Sequence, residues 1–329
     1  MKILHITPHL GGGVGTVICD WMTKEIRSGH MVVCLDSIND TARDMLDAIR
    51  LPFAWNQRYT PNTVMQFIEA SDVVLVHYWD HPTLAEFFSK PIPECRLVFW
   101  CHKNIPYSQK ELDYPDLWLD TSPVQGHGRY IWSTGNMDRF FKIKPKEHKG
   151  FNIGYVGTVD YKKLHSRFMD MCITLIDLIP DVHFTIVGEK KIDWEWDSRF
   201  TFTGKVDDVA PYLAEMDVFG YPLRPDHYGT CEIALGEAMA AGVVPVVMDN
   251  PAEKIIIQPN VDGLLARDEK DYILCIKSLY KSIIYRKDFY PEAARNRAKQ
   301  LYSIDNMIKQ WDEVFEEMVK EPKRSREVL

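Results

Sequence analysis

The segment His227–Pro245, HYGTCEIALGEAMAAGVVP, combines a glycine loop, a carboxylate and a short helix pattern. Gly229 leads into a helical stretch that stops at Gly242. The unpaired backbone N–H groups at such a helix start attract a diphosphate. Glu237, one or two turns in, is placed to accept hydrogen bonds from ribose hydroxyls. An ordinary strand–helix–strand crossover with a small-residue helix fits the same letters. A second glycine cluster, HLGGGVGTV (His9–Val17), follows the first apolar run, where glycine lets backbone approach a phosphate or another ligand. Its G-x-G-x-x-G pattern fails at Ile18, which argues against a nicotinamide cofactor. His102 follows LVFWC and His77 follows VVLV, so each histidine ends an apolar run. The His77-x3-His81 spacing would suit a metal only on a helix, and this one begins at a strand end. The undecided roles at that end are those of His77 and Asp80.

These residues need a scaffold, and short apolar runs alternate with helical patterns along the whole chain. That is the signature of parallel α/β units. Strands are expected at Lys2–Thr7, Val32–Leu35, Val73–His77 and Leu97–Cys101, with a glycine turn and then a helix over Thr16–Ser28. A second series begins near Phe151. It has strands at Asn152–Val156, Val182–Val187, Phe200–Phe202, Val218–Tyr221 and Val244–Met248. Its helices are expected at Leu164–Ile179, Glu232–Ala241 and Asp271–Tyr285, and a last helix at Asp305–Lys320. The expected fold is α/β, with two Rossmann-like doubly wound domains facing a cleft. The boundaries are 1–141 for an N-terminal domain, 142–150 for a charged linker and 151–302 for a C-terminal domain. Residues 303–329 form a helix and basic tail, with a return to the N-terminal domain as one course for them. Ligands in such sheets sit beyond the carboxyl ends of the strands.

Length and composition agree with two domains: 329 residues, 46% hydrophobic and 26% charged. A net charge of -8 argues against nucleic acid as the main partner. Seven cysteines without a C-x-x-C pair predict reduced thiols and no zinc ribbon. The opening MKILHITPHL is too short and too interrupted for a signal peptide, and no run is long enough to span a bilayer. A cytoplasmic protein is expected, either free or peripheral at the inner membrane face. The tail KEPKRSREVL fits a solvated end or a contact with anionic lipid.

EAMAAGVVPVV (Glu237–Val247) resembles the donor-site helix and strand of the retaining GT-B glycosyltransferases, the group 1 or family 4-like enzymes with a Glu-x7-Glu motif. YVGTVDYKK (Tyr155–Lys163), FTIVGE (Phe184–Glu189), FTGKVDDVAPYLAEMDVFGYP (Phe202–Pro222) and DGLL (Asp262–Leu265) resemble further parts of that family's donor domain. YIWSTGNMDRFF (Tyr130–Phe141) is similar to its Asn-Gly-Asp segment, with the asparagine displaced to Asn136. The resemblance implies that Glu237 holds the donor ribose. It implies that Lys163, or Lys162 beside it, meets the donor phosphates, with Thr158 where the family has arginine. His102 would lie near the sugar. Gly12, Gly13, Gly188, Val206, Gly229 and Thr230 would line the donor. The family's first glutamate is absent, because Gly229 stands eight residues before Glu237. Glu232 is a candidate replacement, and equally a first-turn acid favourable to the helix dipole. Five residues apart, Glu232 and Glu237 point about 140° apart on a helix, so Glu232 would have to act from an irregular helix start.

The implied reaction moves a sugar from a nucleoside diphosphate to an acceptor hydroxyl with retention, with glycan or polysaccharide synthesis as its expected setting. His102, Lys163 and Glu232 would be catalytic. No metal or other cofactor is expected. The partners would be a nucleotide-sugar donor and a glycan or lipid-linked acceptor. A non-catalytic sugar-nucleotide-binding subunit and a nucleotide-sugar epimerase are the alternatives.

Overall fold

A computed structural model describes residues 1–38, 43–44, 53–55, 61–192, 197–284 and 289–329. The described residues form two compact units. One is Met1–Asn136 with Ile304–Leu329, and the other is Met137–Ser303.

In the first unit the strands are β1 (Lys2–Leu10), β2 (Gly29–Ile38), β3 (Phe53–Trp55), β4 (Val73–Tyr78), β5 (Leu97–Cys101) and β6 (Leu117–Asp120). Their order is β3-β2-β1-β4-β5-β6, with every pair parallel. The helices are α1 (Gly12–Lys24), α2 (Pro61–Ala70), α3 (Pro82–Phe88) and α4 (Gln109–Asp113). Parallel strands covered on both faces read as continuous apolar runs. VVLVHY of β4 and LVFWC of β5 are accordingly buried at every position.

The second unit repeats the plan. Its strands are β7 (Phe151–Val156), β8 (Val182–Val187), β9 (Phe200–Gly204), β10 (Val218–Tyr221), β11 (Val244–Met248) and β12 (Leu264–Ala266). The order β12-β11-β10-β7-β8-β9 is the first unit's order read from the other edge. Its helices are α5 (Phe168–Leu178), α6 (Ala210–Leu213), α7 (Ile233–Ala241), α8 (Pro251–Ile256), α9 (Glu269–Ile284) and α10 (Phe289–Leu301). In both sheets the strand order reverses beside the first strand, between β1 and β4 and between β7 and β10. Crevices at such switch points take ligands in open α/β sheets.

The last helix, α11 (Ile304–Met318), belongs to the first unit. Ile304, Met307, Ile308, Trp311, Val314, Phe315 and Met318 form its buried face, at the spacing of one helical stripe. Trp311 stacks on Trp21 of α1 at 5.3 Å and meets Trp100 of β5 edge-on. Each large apolar side chain buried this way contributes about 1.5–3 kcal/mol. The basic tail follows this helix onto the same unit. Arg326 pairs with Asp116 and donates to the carbonyls of Cys95 and Tyr114, and Leu329 N–H donates to Phe88 O. Part of the tail's charge is therefore satisfied inside the unit rather than by solvent or lipid.

Several elements differ from their sequence expectations. The glycine run at 11–13 is not a separate turn: Gly11 caps α1, which starts at Gly12, four residues before Thr16. The helix expected from Leu164 begins at Phe168, because Leu164 pairs with Leu223 in an isolated antiparallel bridge. The short edge strands β3, β6 and β12 were not expected. Three or four residues carry too little pattern to separate from loop. Residues 142–150 fall in the second unit. Among the described residues no helix is long and apolar enough to cross a membrane, and all seven cysteines are free thiols.

Candidate active site

The carboxyl ends of β7 and β10 bring together the second unit's chemically notable side chains. β7 ends at Val156 and runs into Gly157 and Thr158. Gly157 (φ +149°) and Gly188 (φ +142°) pass back to back, and a Cβ on Gly188 would lie 2.0 Å from Gly157 O. Only glycine allows that approach. The loop after β7 is tied to the segment after β10. His165 N–H donates to Pro222 O, Arg224 N–H to Lys163 O, and the Arg224 guanidinium to Tyr161 O.

This tie delivers Lys163 to Glu232. Lys163 Nζ lies 2.9 Å from Glu232 Oε2, which also accepts a hydrogen bond from Tyr221 OH at 2.7 Å. The Glu232 carboxylate is buried, while Lys163 keeps 24% of its side chain exposed. Burial opposes the charge on Glu232, yet Lys163, the nearby His227 and the Tyr221 hydroxyl hold its carboxyl below the ordinary range. Burial likewise opposes the Lys163 ammonium, and the Glu232 carboxylate raises it above the usual lysine value. The pair is charged at neutral pH. Glu232 Oε1 is buried without a hydrogen-bond partner among the described residues. An orphaned carboxylate oxygen is costly unless a ligand donor meets it.

Glu232 reaches this place through an unusual backbone. It is the N-cap of α7 in the left-handed region, φ 42° and ψ 66°, without a side-chain capping bond. A non-glycine residue there costs on the order of 1 kcal/mol or more. The first-turn-acid expectation therefore fails: the carboxylate turns inward to Lys163 instead of toward helix amides. A Cβ on Gly229 would lie 1.6 Å from Glu232 Oε1. The carboxylate of Glu232 thus fills the space into which a side chain at 229 would grow. Tyr302 holds the turn from behind, its OH donating to Cys231 O at 2.6 Å. The ring lies against Gly236, where a Cβ would come within 2.6 Å of it.

A second buried pair backs the first. His227 Nδ1 accepts from Gly229 N–H at 3.0 Å, so the neutral ring carries its proton on Nε2 and donates to Glu253 Oε2 at 3.1 Å. Tyr221, His227 and Glu253 were missed by sequence reasoning. Nothing in their local spacing ties them to Lys163; the strand order does.

The other expected residues fall as follows. Lys162 is exposed and Lys163 is the one that meets Glu232. Thr158 is exposed after Gly157, Val206 is half-buried beyond β9, Thr230 is buried in the 227–232 turn, and Glu237 is half-buried on α7. Gly12, Gly13 and His102 belong to the first unit, the two glycines exposed in the first turn of α1. His77 does not sit at a strand end open to ligand. It is fully buried inside β4, with both ring nitrogens bonded to His5 and His102, so the metal spacing with His81 is not realised.

Because the folded state holds the Glu232 carboxyl below its ordinary value near 4.5, the unfolded chain binds more protons as pH falls. The pair's contribution is present above that value and lost on acidification. In circular-dichroism melts between about pH 5 and about pH 3, Glu232→Gln should show a shallower fall of Tm than the wild type.

Residues 150–282 match the family model described as Glycosyl transferases group 1. No curated protein matches the chain. Among solved structures, Anabaena HepE in complex with UDP is 16% identical, with a TM-score of 0.75 over 96% of this chain and 100% of that one. A glycosyltransferase from Rickettsia africae is 15% identical, with a TM-score of 0.74 over 97% and 98%. The pneumococcal O-GlcNAc transferase GtfA in complex with UDP and GlcNAc is 11% identical, with a TM-score of 0.68 over 98% and 99%. The second unit, which holds the Lys163–Glu232 site, is thus the part similar to the Glycosyl transferases group 1 family, and the chain has the GT-B fold, a Rossmann-like parallel α/β plan used twice.

Proposed function

We propose that the protein transfers a sugar from a nucleoside diphosphate sugar to an acceptor hydroxyl, with retention of anomeric configuration, in glycan or polysaccharide synthesis. The observation that carries this reading is the buried Lys163–Glu232 pair, with its orphaned Glu232 oxygen, at the switch point of the unit similar to group 1 transferases. HepE and GtfA were solved with UDP, which favours a nucleotide-sugar donor.

Separating the sugar from its diphosphate builds negative charge on the leaving group. Stabilising that charge in a water-poor site is the main catalytic task. Lys163 supplies the cation, in place of a bound metal ion, and Thr158 and the helix-start amides supply hydrogen bonds. A diphosphate competes with Glu232 for the ammonium. Glu232 Oε1 accepts from a donor-sugar hydroxyl and so takes the part of the family's missing first glutamate. Glu237 holds the ribose.

Thermal shift against UDP-, GDP-, ADP- and dTDP-sugars tests donor binding. A ligand at 100 times its Kd stabilises the fold by about 2.7 kcal/mol. One nucleotide class should raise Tm and the others leave it. No shift with any of them would remove the basis of the reading.

A further inference from the structure

His227 stands between two buried carboxylates, and its two ring nitrogens face different partners. It lies on the segment that runs from β10 to the N-cap of α7. Nε2 lies 3.1 Å from each oxygen of Glu253, on α8, and donates to Oε2. Nδ1 accepts from Gly229 N–H at 3.0 Å and lies 3.7 Å from Glu232 Oε1. That oxygen has no hydrogen-bond partner among the described residues. His227 is 5% exposed, Glu232 4% and Glu253 0%. All of these residues belong to the second unit.

A neutral imidazole has one donor and one acceptor, and an imidazolium has two donors. With Glu253 taking the Nε2 proton, the neutral ring only accepts at Nδ1, and Gly229 N–H fills that place. A second proton, on Nδ1, turns the acceptor into a donor. Gly229 N–H is then opposed by another N–H, and Glu232 Oε1 is the carboxylate oxygen beside it. Closing by about 0.7 Å makes a hydrogen bond of ordinary length. Gly229 lies beside both atoms: a Cβ there would come 2.9 Å from Nδ1 and 1.6 Å from Oε1. Its lack of a side chain leaves the space through which they approach.

We propose that His227 is a proton-gated positioning residue of the donor site. Neutral, it holds the Gly229 amide in the turn and leaves Glu232 Oε1 to the donor sugar. Protonated, it takes that oxygen itself and releases Gly229, so the sugar has no acceptor there. What Oε1 meets rests on the sugar-transfer reading; the exchange of partners by His227 does not. The step is a single protonation. An N–H bond forms at Nδ1 with a proton from solvent, and no covalent bond of the protein breaks. Lys163 stays on Glu232 Oε2, so the gate closes the sugar end and leaves the cation for the phosphates in place.

The surroundings set where the exchange occurs. Burial opposes charge on the ring, and Lys163 opposes it too. Glu253 and Glu232 outweigh both, so His227 holds its proton above the ordinary value of 6.5. Asp226, next in the chain, feels the charge of the ring and pairs with Arg224 at the surface. Lys254 of α8 pairs with Asp249, and the Tyr221 hydroxyl is given to Glu232. Glu232 is held below its ordinary value and Lys163 above its own, so both keep their charge near neutrality. A histidine raised in the folded state adds stability that is fully present below its unfolded value and lost as pH rises through the folded one. The closed form is therefore the one that mild acid favours.

Ring-nitrogen NMR of the histidine-labelled full-length protein, from about pH 5.5 to about pH 8.5, reads the exchange without any donor. At the alkaline end His227 should be the Nε2–H tautomer, and its midpoint should lie above about 6.5. In Glu253→Gln the midpoint should fall, because a charge that favours the imidazolium is gone. An Nδ1–H tautomer in the neutral ring, or a midpoint below the ordinary value, would overturn the exchange. Calorimetry with the nucleotide sugar that raises Tm tests the gate. Its Kd should weaken towards about tenfold per pH unit below the His227 midpoint, as the competent fraction falls by that factor. In His227→Asn the side-chain oxygen still accepts from Gly229 N–H but takes no proton, and the Kd should be flat over the same range whatever its size. In Glu253→Gln the weakening should begin at lower pH, in step with the NMR midpoint, which tests the gate even if His227→Asn fails to fold. Donor affinity that ignores pH in the wild type, or that keeps the wild-type slope in folded His227→Asn, would overturn the gate and leave the sugar-transfer reading in place. Binding of no nucleotide sugar at any pH would remove that reading and the gate with it, while the NMR titration would still decide the exchange.

Discussion

Lys163→Ala should lose at least 10²-fold in turnover, because the ammonium seated against the Glu232 carboxylate of the candidate site is removed. It should also lose stability, for a physical reason separate from catalysis. The variant leaves the buried Glu232 carboxylate without its counter-charge. Breaking a buried pair from one side costs about 3–5 kcal/mol, and less here because Lys163 is partly solvated. The two effects separate in the double variant Lys163→Ala with Glu232→Gln. Neutralising the orphaned carboxylate should return most of the lost Tm and none of the lost turnover. Steady-state kinetics beside thermal melts give both numbers. Full turnover in a folded Lys163→Ala would end the assignment of Lys163 to the leaving group.

Gly229→Ala is expected to have an effect out of proportion to one methyl group. Its Cβ would sit 1.6 Å from Glu232 Oε1 and 2.9 Å from His227 Nδ1. Both atoms belong to buried side chains, Glu232 held through its other oxygen by Lys163 and Tyr221 and His227 held by Gly229 N–H and Glu253, so neither yields cheaply. Overpacking of this kind costs about 1–3 kcal/mol. Relief requires Glu232 to withdraw from Lys163, and turnover should fall by more than tenfold even in the folded fraction. The informative companion is the double variant Gly229→Glu with Glu232→Ala. It returns a carboxylate to the position eight residues before Glu237. Recovery of part of the turnover lost in Glu232→Ala would show that one carboxylate is needed and that its attachment point is exchangeable. A Gly229→Ala variant with wild-type turnover and Tm would contradict the packing described here.

Legibility in the sequence follows the range of the interaction. β5, β8, β10 and β11 match their expected bounds to the residue: β5, β10 and β11 are short runs buried at every position and β8 alternates before its buried end, and both patterns are local signals. The site was partly legible. Lys163, Glu232 and Gly229 were all marked, but their relation was open. A helical wheel separates Glu232 from Glu237 and says nothing of Lys163, which lies 69 residues earlier. The left-handed backbone at Glu232 was not legible at all. Glutamate has no preference for that conformation, and only the surrounding contacts impose it. The histidines show the same limit from the other side. His77 and His102 stand out in the sequence as polar residues after apolar runs, while His5 and His30 draw no notice. The rings of His30, His5, His77 and His102 come within hydrogen-bond distance of one another only because β2, β1, β4 and β5 are neighbours.

The sequence by itself determined the repeated parallel α/β plan, the position of the helix at Ile233–Ala241 to within one residue and the set of side chains able to carry charge or protons. Those are consequences of hydrophobic period, turn residues and side-chain chemistry, which act over a few residues. The tertiary structure alone decided which of those side chains meet. The crossover of the second sheet puts Lys163 against Glu232 and Tyr221. The same crossover in the first sheet brings His5 and His102 to the two ring nitrogens of His77. Parallel strands join through long connections, so neighbours in the sheet are tens of residues apart in the chain, and their pairing is fixed by packing rather than by local pattern.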